Sequence, residues 1–126
     1  MPTTVNEMLA AAHAVVPAIT PAEAKELVRA RDALLVDVRD GTEVRASGKA
    51  KGAVAISRGL LEFRADPASA SHDPAFRTDR TIILYCGSGG RAALAGKTLR
   101  ELGFVDVRNL GGFKEWVAAG GEVEAG

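Results

Sequence analysis

Cysteine is nearly missing from this chain: Cys86 is the only one among 126 residues. A lone thiol closes no internal disulfide, and no Cys/His cluster at zinc spacing surrounds it. That usage fits a reducing compartment, so the cytoplasm is the expected location. Net charge is missing too, because sixteen Lys and Arg balance sixteen Asp and Glu. The balance excludes the broad positive field that favours nonspecific nucleic-acid or membrane-surface binding, so any anion site must be local. No apolar run approaches membrane-spanning length. With no internal repeat, linker or shift in composition, the length accommodates one domain. Histidine is scarce as well: His13 and His72 lie outside every motif described below, and both are read as surface residues rather than ligands or bases.

The first twenty residues, MPTTVNEMLAAAHAVVPAIT, are apolar, yet they carry Glu7 ahead of the apolar part and no Lys or Arg before Lys25. They read as an amphipathic helix rather than an export signal. Thr4 and Glu7 stand at capping-box spacing, and Met8, Leu9, Ala12 and Val16 recur near the helical period. Residues 1–17 are therefore expected to form a helix packed on a domain of residues 18–126.

From Ala18 the chain alternates between apolar runs and helical stretches. Ala18–Thr20 is expected as a short first strand. Thr20, Pro21 and Glu23 then supply an N-cap, a first-turn proline and a capping-box partner for a helix ending near Arg31. Ala33–Val38, Gly52–Ser57, Thr81–Cys86 and Val105–Leu110 read as strands, and their nearly continuous apolar character points to burial on both faces. Arg91–Leu102 and the segment of Phe113, Trp116 and Val117 read as helices stopped by Gly103 and by Gly120 and Gly121, with Trp116 in the core. The expected fold is an α/β three-layer sandwich: a central, mainly parallel sheet of about five strands flanked by helices. Arg58–Arg80 breaks the alternation. It starts like a short helix and continues as a long polar surface connection, a class of loop that often borders a site or meets a partner.

Against that background YCGSGGRAALAG, Tyr85–Gly96, stands out. In an open parallel sheet ligands sit beyond the carboxyl ends of the strands, where Cys86 passes into a helix. Glycines at 87, 89 and 90 admit backbone conformations in which successive N–H groups turn inward as an anion nest. The helix that follows adds its partial positive end. Both effects favour a thiolate. The first turn of a helix is a poor electrostatic position for the cation Arg91, which calls for a fixed carboxylate; Asp37 and Glu43 are the candidates.

Several motifs in order carry a family resemblance. LLVDVRDGTEV (Leu34–Val44) resembles an Asp-x-Arg segment with a following Glu. SGKAKGAVAIS (Ser47–Ser57) resembles a Gly-His-Ile-x-Gly-Ala segment, ILYCGSGGRA (Ile83–Ala92) an active-site loop, and VRNLGGFKEW (Val107–Trp116) a Leu-x-Gly-Gly-x-x-x-Trp ending. Together they resemble the rhodanese-like sulfurtransferases over Thr20 to about Glu124. Lys49 stands where that family usually has His, and Lys51 where Pro is frequent; the expected effect is on local packing.

The resemblance implies covalent catalysis in two half-reactions. Cys86 would take the outer sulfur of a donor such as thiosulfate as a persulfide, then pass it to cyanide or to a thiol, including one on a protein. Backbone groups of Gly87, Ser88, Gly89, Gly90 and Arg91 would hold the persulfide and the leaving anion. Asp37, Arg39, Glu43 and Arg58 would support them, Arg39 and Arg58 also being candidates for substrate contact, while Arg91 either shapes the loop or touches substrate. No metal or organic cofactor and no general base is implied, and monomer and homodimer both stay open. Two alternatives share the architecture. One is a non-catalytic or sulfur-relay module. The other is a cysteine phosphatase or arsenate reductase, whose loop is one residue longer between Cys and Arg than the four residues here.

Overall fold

The computed structural model describes residues 2–126. Four strands form one parallel sheet in the order β3-β1-β4-β5: β1 is Leu34–Asp37, β3 is Val54–Ala55, β4 is Ile82–Cys86 and β5 is Val107–Gly112. β1 and β4 are buried along their whole length, as continuous apolar runs between two helical layers must be. The side chains alternate between the layers. Leu34, Val36, Val38, Ile82, Leu84 and Cys86 join one core with α5 (Gly90–Glu101); Leu35, Ile83 and Tyr85 join the other with α2 (Pro21–Arg31) and Trp116 of α6 (Phe113–Ala118). The molecule is thus the expected α/β/α sandwich.

The N-terminal helix α1, Val5–Val15, and α2 each begin with a complete capping box, Thr4 with Glu7 and Thr20 with Glu23. Of the apolar residues on α1, Ala12 is buried, as is Val16 at its end, whereas Met8 is exposed. Val16 reaches α5 where Gly96 leaves room: a Cβ there would lie 2.8 Å from a Val16 methyl.

Some expectations need correction. The central sheet has four strands, because Ala18–Thr20 makes only a single bridge, Ala18 to Asn109, before Thr20 caps α2. The Gly52–Ser57 run contributes just two strand residues, and β5 runs two residues past Leu110. A short helix α3, Gly41–Ser47, and a separate two-stranded antiparallel sheet, β2 (Lys49–Ala50) with β6 (Val123–Glu124), were not anticipated. That clasp accommodates the two lysines: Lys49 pairs with Glu124 and Lys51 with Glu122.

The Arg58–Arg80 connection is more ordered than its polar composition implies. A 3-10 turn, Arg58–Leu60, leads into α4, Leu61–Ala65, and Leu61, Ala65 and Phe76 are fully buried. Phe76 meets Phe104 edge to face, at 6.2 Å between centroids. The segment therefore descends from the carboxyl end of β3 to the start of β4, anchored on the core.

Candidate active site

The carboxyl ends of β1, β4 and β5 converge around Cys86. Register in β4–β5 runs Leu84 to Asn109, then slips, so that Tyr85 faces Gly111 and Cys86 faces Gly112. The extra residue is a bulge in which Gly111 takes φ of +96°, a conformation suited to glycine. Asn109 stabilises it by accepting the Gly111 N–H at 2.8 Å on Oδ1. The slip also puts Gly112 against the loop: a Cβ on it would lie 2.4 Å from the Gly87 carbonyl oxygen.

The Cys86 side chain is free and 1% exposed. Its sulfur accepts the N–H of Gly89 at 3.0 Å. Gly89 is the N-cap of α5, with φ of +102°, and has no side chain to cap with. Consequently the N–H groups of Gly90, Arg91 and Ala92 meet no acceptor among the described residues, unlike the threonine-capped starts of α1 and α2. The loop therefore offers a buried sulfur, one backbone donor already on it and a helix start with open donors. Asn109, which sequence reasoning assigned only to a strand, holds the loop from behind by donating Nδ2 to the Gly89 carbonyl at 3.2 Å.

Of the two candidate carboxylates for Arg91, Glu43 is the partner. Arg91 Nη1 and Nη2 donate to its two oxygens at 2.6 and 3.1 Å. Glu43 is placed by α3, where its side chain also accepts the Asp40 N–H at 3.1 Å. The Arg91 hydrogen bonds, helped by that backbone bond, hold the Glu43 carboxyl down at about 2 and push the guanidinium of Arg91 higher still. The pair lies over Gly87, whose Cβ position is 3.0 Å from Arg91 Nη2. Arg91 is thus fixed by Glu43 and set against the loop at Gly87.

Asp37 and Arg39 form a second, buried pair, 2.8 Å between Nη2 and Oδ2. Arg39 also donates to Ser47 Oγ at 2.8 Å and to the Gly48 carbonyl at 2.7 Å, and lies 4.3 Å from the centre of the Phe113 ring. Asp37 stands opposite Tyr85 in register, on the sheet face away from the sulfur. Tyr85 in turn accepts the Ala50 N–H at 2.9 Å, tying β2 to β4. This network ties the end of β1 to Ser47 and Gly48, and β2 to β4. Ser88 is exposed at the tip of the loop. Arg58 is not brought to the loop: it pairs with Glu62 and donates to Thr98, two turns along α5 from Arg91. Signals for Glu43 and Arg91 were present in the sequence. Those for Asn109 and Tyr85 depend on the bulge and the clasp, which carry no pattern of their own.

Among the described residues no group of acidic, histidine or cysteine side chains could hold a metal, and no helix is long and apolar enough to cross a membrane.

Comparisons with known proteins agree with this geometry. A sulfurtransferase of Allochromatium vinosum is 33% identical over 97 residues, 76% of this chain and 82% of the relative. The solution structure of the 30 kDa polysulfide-sulfur transferase homodimer from Wolinella succinogenes is 36% identical, with a TM-score of 0.73 over 94% of this chain and 85% of that one. A structure from Rhodopseudomonas palustris, of unknown function and described as a possible tyrosine phosphatase, is 37% identical, with a TM-score of 0.86 over 98% and 99% of the two chains. The family model for the rhodanese-like domain matches residues 20–119. A fold that sets one cysteine at the end of its central strand, before a glycine-capped helix, thus has its place: the chain belongs to the rhodanese-like domain family.

Proposed function

We propose that the protein is a sulfurtransferase that carries a sulfane sulfur on Cys86 as a persulfide. The Cys86 thiolate attacks the outer sulfur of a donor such as thiosulfate. The donor's S–S bond breaks, sulfite leaves with the electron pair, and the new S–S bond joins the transferred sulfur to Cys86. In the second half-reaction cyanide or a thiol takes that outer sulfur, and the electron pair of the cleaved bond returns to Cys86. The backbone donors at the start of α5 stabilise the charge on the persulfide and on the leaving anion. The proposal requires no cofactor or metal. It places the reaction in a reducing compartment such as the cytoplasm, in a monomer or in a homodimer like the Wolinella succinogenes transferase.

The observation that carries this reading is the Gly89 N–H donating to the Cys86 sulfur at 3.0 Å, beside a helix start whose first-turn donors have no acceptor among the described residues. The Rhodopseudomonas palustris relative keeps a phosphatase reading in play. Four residues between Cys86 and Arg91, one fewer than in the phosphatases that this fold resembles, make the smaller cradle that suits sulfur rather than a tetrahedral phosphate. Intact mass decides. Thiosulfate should add one sulfur atom, cyanide should remove it as thiocyanate, and Cys86→Ser should do neither. Hydrolysis of an aryl phosphate without sulfur uptake would establish the phosphatase reading, and neither activity together with binding of a partner through Arg58–Arg80 a non-catalytic binding module.

A further inference from the structure

The peptide between Gly89 and Gly90 is flanked by two residues without side chains, so sterics alone leave its direction open. Turning it over would carry the backbone at Gly90 from the helical region to positive φ, which glycine tolerates and other residues avoid. Its direction matters to the site. A peptide is planar and trans, so its N–H points opposite to its C=O. One orientation sets the Gly90 N–H at the open start of α5, next to the residue that donates to the Cys86 sulfur. The other puts the Gly89 carbonyl oxygen, a partial negative charge, in that place.

Asn109 holds the first orientation. Its Nδ2 donates to the Gly89 carbonyl oxygen at 3.2 Å, the same atom that accepts the Ala93 N–H at 2.9 Å. The amide is kept from rotating because its Oδ1 accepts the Gly111 N–H at 2.8 Å. The backbone that carries it is held as well: the Asn109 N–H donates to the Pro17 carbonyl at 2.8 Å, and its own carbonyl accepts the Ile19 N–H at 2.9 Å. Asn109 is buried, so water is a poor substitute for its donor. A fixed amide with both ends engaged thus reaches the loop from β5, with no hydrogen bond to Cys86 itself.

We propose that Asn109 is a positioning residue for sulfur transfer and acts through the Gly89–Gly90 peptide. It keeps that peptide's N–H turned toward the charge on the Cys86 sulfur and on the leaving anion. The proposal rests on the persulfide reading of Cys86. The amide is required because its two ends have different tasks. Aspartate would keep the Gly111 contact but set a carboxylate oxygen against the Gly89 carbonyl. With the peptide turned over, that carboxylate accepts the Gly90 N–H instead, in a charge-assisted bond. Asn109→Asp therefore withdraws a donor from the site without altering any residue of the loop.

Gly90 provides the test. A Cβ there meets nothing within 4 Å, and alanine keeps the N–H while opposing the positive φ of the turned peptide. Gly90→Ala should therefore hold the peptide in place whatever stands at position 109. The rate of sulfur loading from thiosulfate, per folded molecule by intact mass, is measured for Asn109→Asp and Asn109→Leu. Each is made in the wild-type and the Gly90→Ala backgrounds, so that any effect of Gly90→Ala itself cancels. Asn109→Asp should slow loading about ten-fold in the wild-type background. In the Gly90→Ala background the loss should shrink to about two-fold, the share of the added charge. Asn109→Leu adds no charge, and its loss of about three-fold should vanish there. Equal losses in the two backgrounds, the result for a residue that only supports the bulge, would overturn the assignment, as would wild-type loading in both variants. Amide exchange at Ala93 reads the peptide directly, because its N–H loses the Gly89 acceptor when the peptide turns. Exchange should be about ten-fold faster in Asn109→Asp than in wild type, but no faster in the double variant than in Gly90→Ala alone. Slow loading with unchanged exchange would overturn the peptide as the route. The exchange pattern in a protein whose wild type takes no sulfur would overturn the role in sulfur transfer through failure of the persulfide reading, and would leave the hold of Asn109 on the loop standing.

Discussion

Arg91 and Glu43 are joined by two parallel hydrogen bonds, at 2.6 and 3.1 Å, that link the start of α5 to the start of α3. The link crosses between the loops that follow β1 and β4, so two neighbouring strand ends are tied together above the sheet. It also answers the electrostatic difficulty of a cation in the first turn of a helix, because the partner carboxylate offsets the unfavourable dipole.

That pair has a pH signature. The folded Glu43 carboxyl sits at about 2, below its ordinary 4.5. Its stabilisation is therefore fully present above about pH 4.5 and is lost as pH falls toward about 2. Both side chains are more than a third exposed, at 39% and 37%, so solvent screening limits the contribution to about 1 kcal/mol. In urea denaturation Glu43→Gln is expected to be about 1 kcal/mol less stable at neutral pH. Its stability should also decline less steeply between pH 4.5 and 2. Equal slopes for the two proteins would remove this pair as the cause.

Gly112 supports the sulfur loop from the neighbouring strand. The Cβ of Gly112→Ala would stand 2.4 Å from the Gly87 carbonyl oxygen, so the loop must move. The expected cost is about 1–3 kcal/mol of stability. Sulfur loading should fall by more than that loss of folded protein explains. Loading rate per folded molecule, followed by intact mass, is the measurement; a wild-type rate would show that the contact does not set the loop's shape.

Arg39 is a test of geometry rather than charge. Lysine keeps the positive charge but cannot reproduce the fork that reaches Asp37, Ser47 and Gly48 together. Because Asp37 is buried, Arg39→Lys is expected to lose about 2–4 kcal/mol in chemical denaturation. A loss below about 0.5 kcal/mol, the scale of an ordinary surface change, would refute the bracing role.

The seat of α1 on α5 is addressed by Gly96. A Cβ there would come within 2.8 and 2.9 Å of the two Val16 methyls. Gly96→Ala should destabilise by about 1–2 kcal/mol and speed proteolysis of the N-terminal helix. Val16→Ala in the same chain should relieve part of both effects. Additive effects of the two substitutions would show that they act independently.

The parts readable in the sequence are those with long apolar runs or complete caps. β1, β4, α2 and α5 were expected within a residue or two because burial on both faces and threonine or glycine boundaries mark them. α3 was missed because only Val44 of its seven residues is buried, and β2 and β6 because two-residue strands show no period. The end of β5 was misplaced because Gly111 and Gly112 look like a turn. In the folded chain they form a bulge and a close backbone contact. Cys86, its glycines, Glu43 and Arg91 were legible from chemistry and spacing. Asn109 was not, since its side chain acquires a task only once the bulge has brought Gly111 and Gly89 within reach. The direction of Arg58 was not legible either, since its side chain is set by Glu62 and Thr98, which come beside it only in the folded chain.

The donors around the Cys86 sulfur are main-chain groups, and three of the four residues between Cys86 and Arg91 have no side chain to remove. An alanine scan, designed to subtract atoms, would here add them, and a reduced activity would report crowding rather than a lost contact. Proline, the one encoded residue without an N–H, holds φ at about −65° and cannot take the φ of +102° at Gly89, so that hydrogen bond is removed cleanly only by backbone chemistry, such as replacing the single amide with an ester. At the first helical position, Gly90, proline fits the backbone and lacks the N–H, so this helix-start donor is open to deletion by a single point mutation where the Gly89 donor is not.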